Sequence, residues 1–195
     1  MNTVNIPFPI IYLAYGPDGL FAATLFYIPS IFLMFTLGVF ITSAKHWRES
    51  IKEVFRVPPI YGALLGLVLN LFNVTVPELI IKPLDFIGLM AIPLVLLVLG
   101  YNISKVKITS LPTTLLSSFL RVGIGLVFGF LAVNLFNLTG LLRSIVILDS
   151  AMPAAAISSV LATKYENEAE LVSSVVLITT IASLVIIPFL LYVLS

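Results

Sequence analysis

Asp149-Ser150-Ala151-Met152-Pro153 places a carboxylate, a hydroxyl and a helix-breaking proline together inside the hydrophobic stretch from Leu141 to Leu161. A carboxylate at bilayer depth costs about 2.5–3.5 kcal/mol even on the insertion scale, and it usually faces a partner or a water-filled cavity. Pro153 removes one backbone donor and clashes with the carbonyl one turn back, freeing polar groups that hydrocarbon does not satisfy. Freed carbonyls suit a cation and the positive end of a half-helix suits a carboxylate, so the constellation fits the binding of a small anion with a coupling ion. Asp149 would then accept a proton or pair with a cation; the plainer reading sets it near the outer interface, capping or hydrating a helix end close to Arg143. Ser150 either offers its hydroxyl to the site or bonds back to a carbonyl one turn earlier. A second polar group, Asn2, Thr3 and Asn5, precedes Pro7 and Pro9. Its amides recognise a carboxylate without burying another charge, the alternative being a frayed terminus.

The elements that must position these groups are read from apolar runs of about 20 residues, the length that spans a bilayer. Leu20 to Ile41 is the first, and residues 1 to 15 form an incomplete element before it. A charged loop runs from Ala44 to Val57, and Pro58-Pro59 opens a shorter apolar run, ending near Phe72, that needs flanking residues to span. Pro77 to Asp85 reads as a loop, Leu84 to Ile103 as a span carrying Pro93, Leu111 to Phe136 as the next, Leu141 to Leu161 as the interrupted one and Leu171 to Leu194 as the last. Glu166, Glu168 and Glu170 make an acidic loop between the last two. The expected class is therefore an all-α polytopic membrane protein of six transmembrane helices plus a partial N-terminal half-helix. Residues 1–43 and 58–195 form its two parts, with 44–57 as the connecting cytoplasmic loop.

Positive charge sets the orientation. With the 44–57 loop inside, Lys45, Arg48, Lys52, Arg56, Lys105, Lys107 and Lys164 are cytoplasmic, while Lys82 and Arg143 lie outside. The C-terminus and the turn Tyr15-Gly16-Pro17-Asp18-Gly19 are then outside. Asn5-Ile6-Pro7-Phe8-Pro9, then Leu13-Ala14, a polar turn and a long helix resemble Ala151-Met152-Pro153, then Leu161-Ala162, the turn from Lys164 to Glu170 and the last helix. The two copies have opposite orientations. Inverted repeats with broken helices at matching positions mark secondary transporters.

Composition narrows the function. Of 195 residues 60% are hydrophobic and 10% charged, against about 25% charged in a soluble domain. Net charge is +1, with no basic patch of the kind nucleic acid requires. There is no cysteine, and the single histidine, His46, sits in the charged loop, where with Trp47 it suits an interface anchor. Thiolate metal sites, disulfides and catalytic thiols are excluded, and no paired aspartates or serine and lysine pair converge within the spans, so an enzyme is not expected. No basic region opens a cleavable signal peptide.

Together these motifs resemble the auxin efflux carrier family of membrane transporters, whose architecture is shared by sodium-coupled bile acid carriers. Asn2-Thr3 with Pro9 is similar to the family's first broken helix and Phe35-Thr36-Leu37-Gly38 to the end of its fifth helix. Gly88, Ala91-Ile92-Pro93-Leu94 and Gly100 resemble the seventh helix, Asp149 to Pro153 the most recognisable motif, and Thr179-Thr180 with Pro188 the tenth helix. The resemblance implies ten helices in two inverted five-helix repeats, with the fourth and ninth broken and crossing near the midplane. It also sets the first residue of this chain inside the fourth helix, so about three and a half helices of that fold precede it.

Other residues carry smaller expectations. Arg121 either meets an anion from the cytoplasmic side or snorkels to phosphates and pairs with a carbonyl. Pro93 fits a kink, and Lys82 with Asp85 a weak surface ion pair. Gly123, Gly125 and Gly129, and Gly62 with Gly66, fit close helix packing. Asn73-Val74-Thr75 and Asn137-Leu138-Thr139 are glycosylation-type triplets.

The expected function is a secondary carrier for a small organic anion, working by alternating access, with Asp149, Ser150, Ala151, Met152 and Pro153 facing Asn2, Thr3, Asn5 and Pro9. No cofactor or metal is expected; the coupling ion is a proton or sodium. The lipid bilayer, and not nucleic acid, is the expected macroscopic partner, and the plasma membrane the expected location. The competing reading is a non-transporting membrane subunit that joins a homodimer or a chain supplying the missing helices.

Overall fold

The computed structural model describes residues 1–38, 40–41, 58–104, 106, 108 and 110–194. The charged loop expected at 44–57, with His46 and Trp47, and the lysines at 105 and 107 lie outside the described residues. Among those described, all regular structure is helical: α1 (Pro7–Leu33), continued by a π-helical turn (Met34–Gly38), α2 (Pro58–Leu71), α3 (Glu78–Ser104), α4 (Leu111–Leu135), α5 (Gly140–Ser150), α6 (Ala156–Lys164) and α7 (Ala169–Leu194). Among the described residues four stretches are long and apolar enough to cross a bilayer: Pro7–Gly38, Glu78–Val98, Leu111–Leu135 and Ala169–Leu194. α2, with 14 residues, is too short to cross alone, as its apolar run implies.

Several boundaries differ from the expectation. The loop expected at Pro77 to Asp85 is instead the start of α3, which contains both Pro83 and Pro93. Within that helix Lys82 pairs with Glu78 one turn back at 2.5 Å, not with Asp85, because residues four apart share a face and a glutamate N-terminal to its lysine is the favoured order. The turn at Tyr15 to Gly19 is a single-residue break: Gly16 alone leaves helical geometry, at φ 66° and ψ −158°, a region essentially reserved for glycine. Glu170 belongs to the first turn of α7, where the helix dipole favours a carboxylate.

Both glycosylation-type triplets are helix caps. Asn73 and Asn137 adopt φ 50° and 49°, and the residue after each bonds back across the helix end, Val74 N–H to Leu69 O at 2.9 Å and Leu138 N–H to Val133 O at 2.9 Å. Asparagine tolerates this left-handed position better than most residues, so the local sequence is explained by the Schellman cap. Glu166, φ 52°, closes α6 in the same way through Asn167 N–H and Ala162 O.

The chain divides into two compact units, 28–95 and a larger one made of 1–27 with 96–195. The smaller is almost wholly exposed along α2 and α3, and Gly62, Gly66 and Gly88 have open space around them, so the packing expected of the Gly62 and Gly66 pair is absent among the described residues. The larger unit holds the core: Ile6, Ile11, Ala22 and Ala23 pack with Ile145, Leu148, Met152, Ile187 and Leu190. Its remaining helix faces are apolar and exposed, with Phe119, Val185 and Tyr192 among the most exposed side chains, the pattern of a surface solvated by lipid.

Candidate functional site

Within the larger unit the two proline-rich breaks meet. α5 stops at Ser150, Ala151 closes its last turn by donating to Ile147 O at 3.2 Å, and residues 152–155 run without helix until α6 begins. Pro153 accounts for this: it supplies no N–H and disfavours helical geometry at Met152. On the other side, Asn2 folds its own side chain over the chain that leads into α1. Its Oδ1 accepts from Asn5 N–H at 2.9 Å and Val4 N–H at 3.4 Å, an Asx-type cap. Pro7 and Pro9 fall in the first turn of α1, where the missing donors would have had no intrahelical partner.

One backbone hydrogen bond ties the breaks together: Asn2 N–H donates to Pro153 O at 2.8 Å. Thr179 holds the second break from behind. Its Oγ1 accepts from Ala154 N–H at 3.0 Å and donates to Val175 O at 2.6 Å, so the hydroxyl bridges the broken chain to α7. In 2–33 a non-helical start, a short helical segment, the interruption at Gly16 and a long helix follow one another, and in 151–194 non-helical residues, α6, a turn and α7.

The sequence-selected residues converge unevenly. Asn2, Thr3, Asp149, Ser150, Ala151, Met152 and Pro153 are all buried at the meeting of the breaks, and Asp149 is fully inaccessible. Asn5 is half-buried and contributes its backbone donor. Pro9 is buried but also lines a largely apolar cavity of about 490 Å³ with Ile6, Ile10, Thr180 and Pro188. Arg143 is exposed in the first turns of α5, and Asp149 lies at the opposite end of that helix in the core, away from any hydrated helix end of the kind the plainer reading requires.

Polar atoms without partners gather among these residues. Neither oxygen of Asp149, nor Asn2 Nδ2, Ser118 Oγ or Arg121 Nη2, has a hydrogen-bond partner among the described residues. Buried polar groups are nearly always satisfied, so a concentration of exceptions calls for a further partner such as water, an ion or a ligand. The set contains both acceptors and donors, including one full positive charge. Close packing brings α4 against the end of α5: a Cβ on Gly129 would sit 2.6 Å from Ser150 Cβ, and one on Gly125 would overlap Ser150 O. Of the glycines expected to pack, Gly125 and Gly129 do so, whereas Gly123 has nothing within 4 Å.

Two residues that matter here are not site residues by sequence reasoning. Thr179 stands out in the sequence only as part of a family-like motif, and its role depends on a contact with Ala154 that spacing does not encode. Arg121 reads most simply as a snorkelling side chain, yet its Nη2 is buried. Among the described residues no group of three or more acidic or histidine side chains is placed to hold a metal ion.

Among the described residues, four helical stretches long and apolar enough to cross a bilayer, with proline-broken helices packed in the interior of the larger unit, define a helical integral membrane protein. The sequence profile of a family described as membrane transport protein matches residues 45–191, and the chain belongs to this family, that of the auxin efflux carriers. It is 28% identical to an uncharacterized transporter of Methanocaldococcus jannaschii over 193 residues, 95% of this chain and 63% of that protein. It is 29% identical over 201 residues to an uncharacterized transporter of Methanothermobacter thermautotrophicus, covering 96% of this chain and 63% of that protein. The chain thus spans less than two thirds of the length of these relatives. No solved structure gives a significant match.

Proposed function

We propose that the chain forms the substrate-binding part of a secondary carrier for a small organic anion. The observation that carries this reading is the 2.8 Å hydrogen bond between Asn2 and Pro153, which joins two helix breaks in a buried region rich in unpartnered polar atoms. Breaks of this kind turn a positive half-helix end and freed carbonyls toward the same point, so an anion and a coupling cation are accommodated together. Asp149, held without a partner, is the natural place for that cation, a proton or sodium, because an isolated buried carboxylate is costly.

The resemblance to ten-helix carriers supports alternating access, in which one repeat rocks against the other around the crossing. In this scheme the described helices supply the second five-helix repeat and the end of the first, the C-terminus faces outward and the protein resides in the plasma membrane. Membership of a transporter family favours transport over catalysis.

The test is reconstitution of the protein, as isolated from its own membranes, into proteoliposomes, with uptake of radiolabelled acetate, benzoate, succinate and citrate followed under an imposed proton or sodium gradient. Saturable, gradient-dependent uptake of at least one carboxylate is expected. Absence of uptake for all four under both gradients would retire the anion-carrier reading.

A further inference from the structure

We propose that Arg121 is the anion-recognising residue of the site, the group that binds the substrate carboxylate directly. The inference deepens the carrier reading above and rests on it. Thr114, Ser118, Arg121, Gly125 and Gly129 recur at helical spacing along one face of α4. Thr114 and Ser118 are buried, and Gly125 and Gly129 press against Ser150 at the end of α5. This is the face that α4 turns to the second break, and it is polar where a lipid-facing stripe would be apolar.

The guanidinium lies close to the end of α5. Arg121 Nη1 lies 2.6 Å from the point where a Cβ on Gly125 would stand, and that same point overlaps the carbonyl oxygen of Ser150. The missing side chain at Gly125 therefore leaves room for both the guanidinium and the last carbonyl of α5. Nη2 is buried with no partner among the described residues. Ser118 Oγ, one turn earlier on the same face, is also buried and unpartnered, as is Nδ2 of Asn2 at the opposite break.

A guanidinium is a rigid fork of donors that never gives up its charge, and its geometric complement is a planar oxyanion held through two parallel hydrogen bonds. A carboxylate fits the open edge of Arg121, with the Asn2 amide and the Ser118 hydroxyl as neutral donors around it. Asp149, whose oxygens are equally unpartnered, would repel that carboxylate unless it carried a proton or cation. Anion and coupling ion would thus enter as a pair, Arg121 receiving one and Asp149 the other.

The competing role for Arg121 is that of a counter-charge for Asp149, with no contact to substrate. Uptake of the same four carboxylates by the reconstituted protein separates the two, using Arg121→Lys, Arg121→Gln, Arg121→Gln combined with Asp149→Asn, and Arg143→Gln as an exposed control. Loss of one charge-assisted bond predicts a KM raised by about ten- to hundredfold in Arg121→Lys with little change in maximal rate. No saturable uptake is expected in Arg121→Gln or in the double variant, and unchanged kinetics in the control. An unchanged KM in Arg121→Lys, or uptake restored by the double variant, would overturn the assignment while leaving the carrier reading intact. Failure of the unsubstituted protein to take up any of the carboxylates would remove both. Should Arg121→Gln not fold, the KM of Arg121→Lys alone decides.

Discussion

Gly123 and Gly125 are next-but-one neighbours on α4 and should respond to alanine in opposite ways. In Gly123→Ala the new methyl meets nothing within 4 Å, so only the backbone effect remains, and replacing a helical glycine stabilises by up to about 1 kcal/mol. In Gly125→Ala the same backbone gain is opposed by overlap with Ser150 O and by contact with Arg121 Nη1 at 2.6 Å. A carbonyl at the end of α5 cannot swing aside as a flexible side chain can, so α4 and α5 must separate. Overpacking of this kind costs about 1–3 kcal/mol, and the backbone partner argues for the upper part of that range. The backbone gain is common to both variants and cancels, so the difference between them is the overpacking cost alone, about 2–3 kcal/mol. Unfolding of the detergent-purified proteins, followed by helical circular dichroism during denaturant titration, measures it. Equal stability of Gly125→Ala and Gly123→Ala would refute the close approach of α4 to the second break, and with it the placement of Arg121.

Two further substitutions probe the local contacts. Thr179→Val keeps the shape but leaves Ala154 N–H without its 3.0 Å acceptor; a loss of about 1–3 kcal/mol is expected, and Thr179→Ser, which keeps the oxygen, should lose much less in the same titration. Asn137→Val forces a β-branched residue into φ 49° and should destabilise by about 1–2 kcal/mol, while Asn137→Gly should be neutral or better, and a melt that ranks them the other way would contradict the cap.

What is legible in the sequence is what one-dimensional signals encode. The apolar runs mark Leu111 to Phe136 and Leu171 to Leu194 nearly to the residue, because hydrocarbon requires continuous helix and little else. Pro153 announces its break, since a proline inside a helix has an unavoidable backbone consequence. The mixed charge of Glu78, Lys82 and Asp85 misleads: it suggests a loop where α3 continues through Pro83, a proline's cost being tolerable when the helix around it is otherwise favoured. Gly16 reads as part of a five-residue turn although it alone departs from the helix. The site is legible in its residue types, Asp149 to Pro153 and Asn2 to Asn5, and not in its contacts. Nothing in the spacing of Asn2 and Pro153, or of Ala154 and Thr179, states that they touch, and Arg121 looks like a snorkelling cation because the depth of its guanidinium is set by the glycine one turn later.

Whether a carboxylate and its coupling ion bind where the two breaks meet turns on Asp149→Asn in proteoliposomes. The substitution keeps the size of a fully buried side chain while removing its charge and its ability to take up a proton. A folded protein is expected, whose gradient-driven uptake is lost or no longer follows the pH dependence of the unsubstituted protein. Uptake identical to that of the unsubstituted protein at every pH and under both gradients would contradict a role for this carboxylate, and with it the placement of the site.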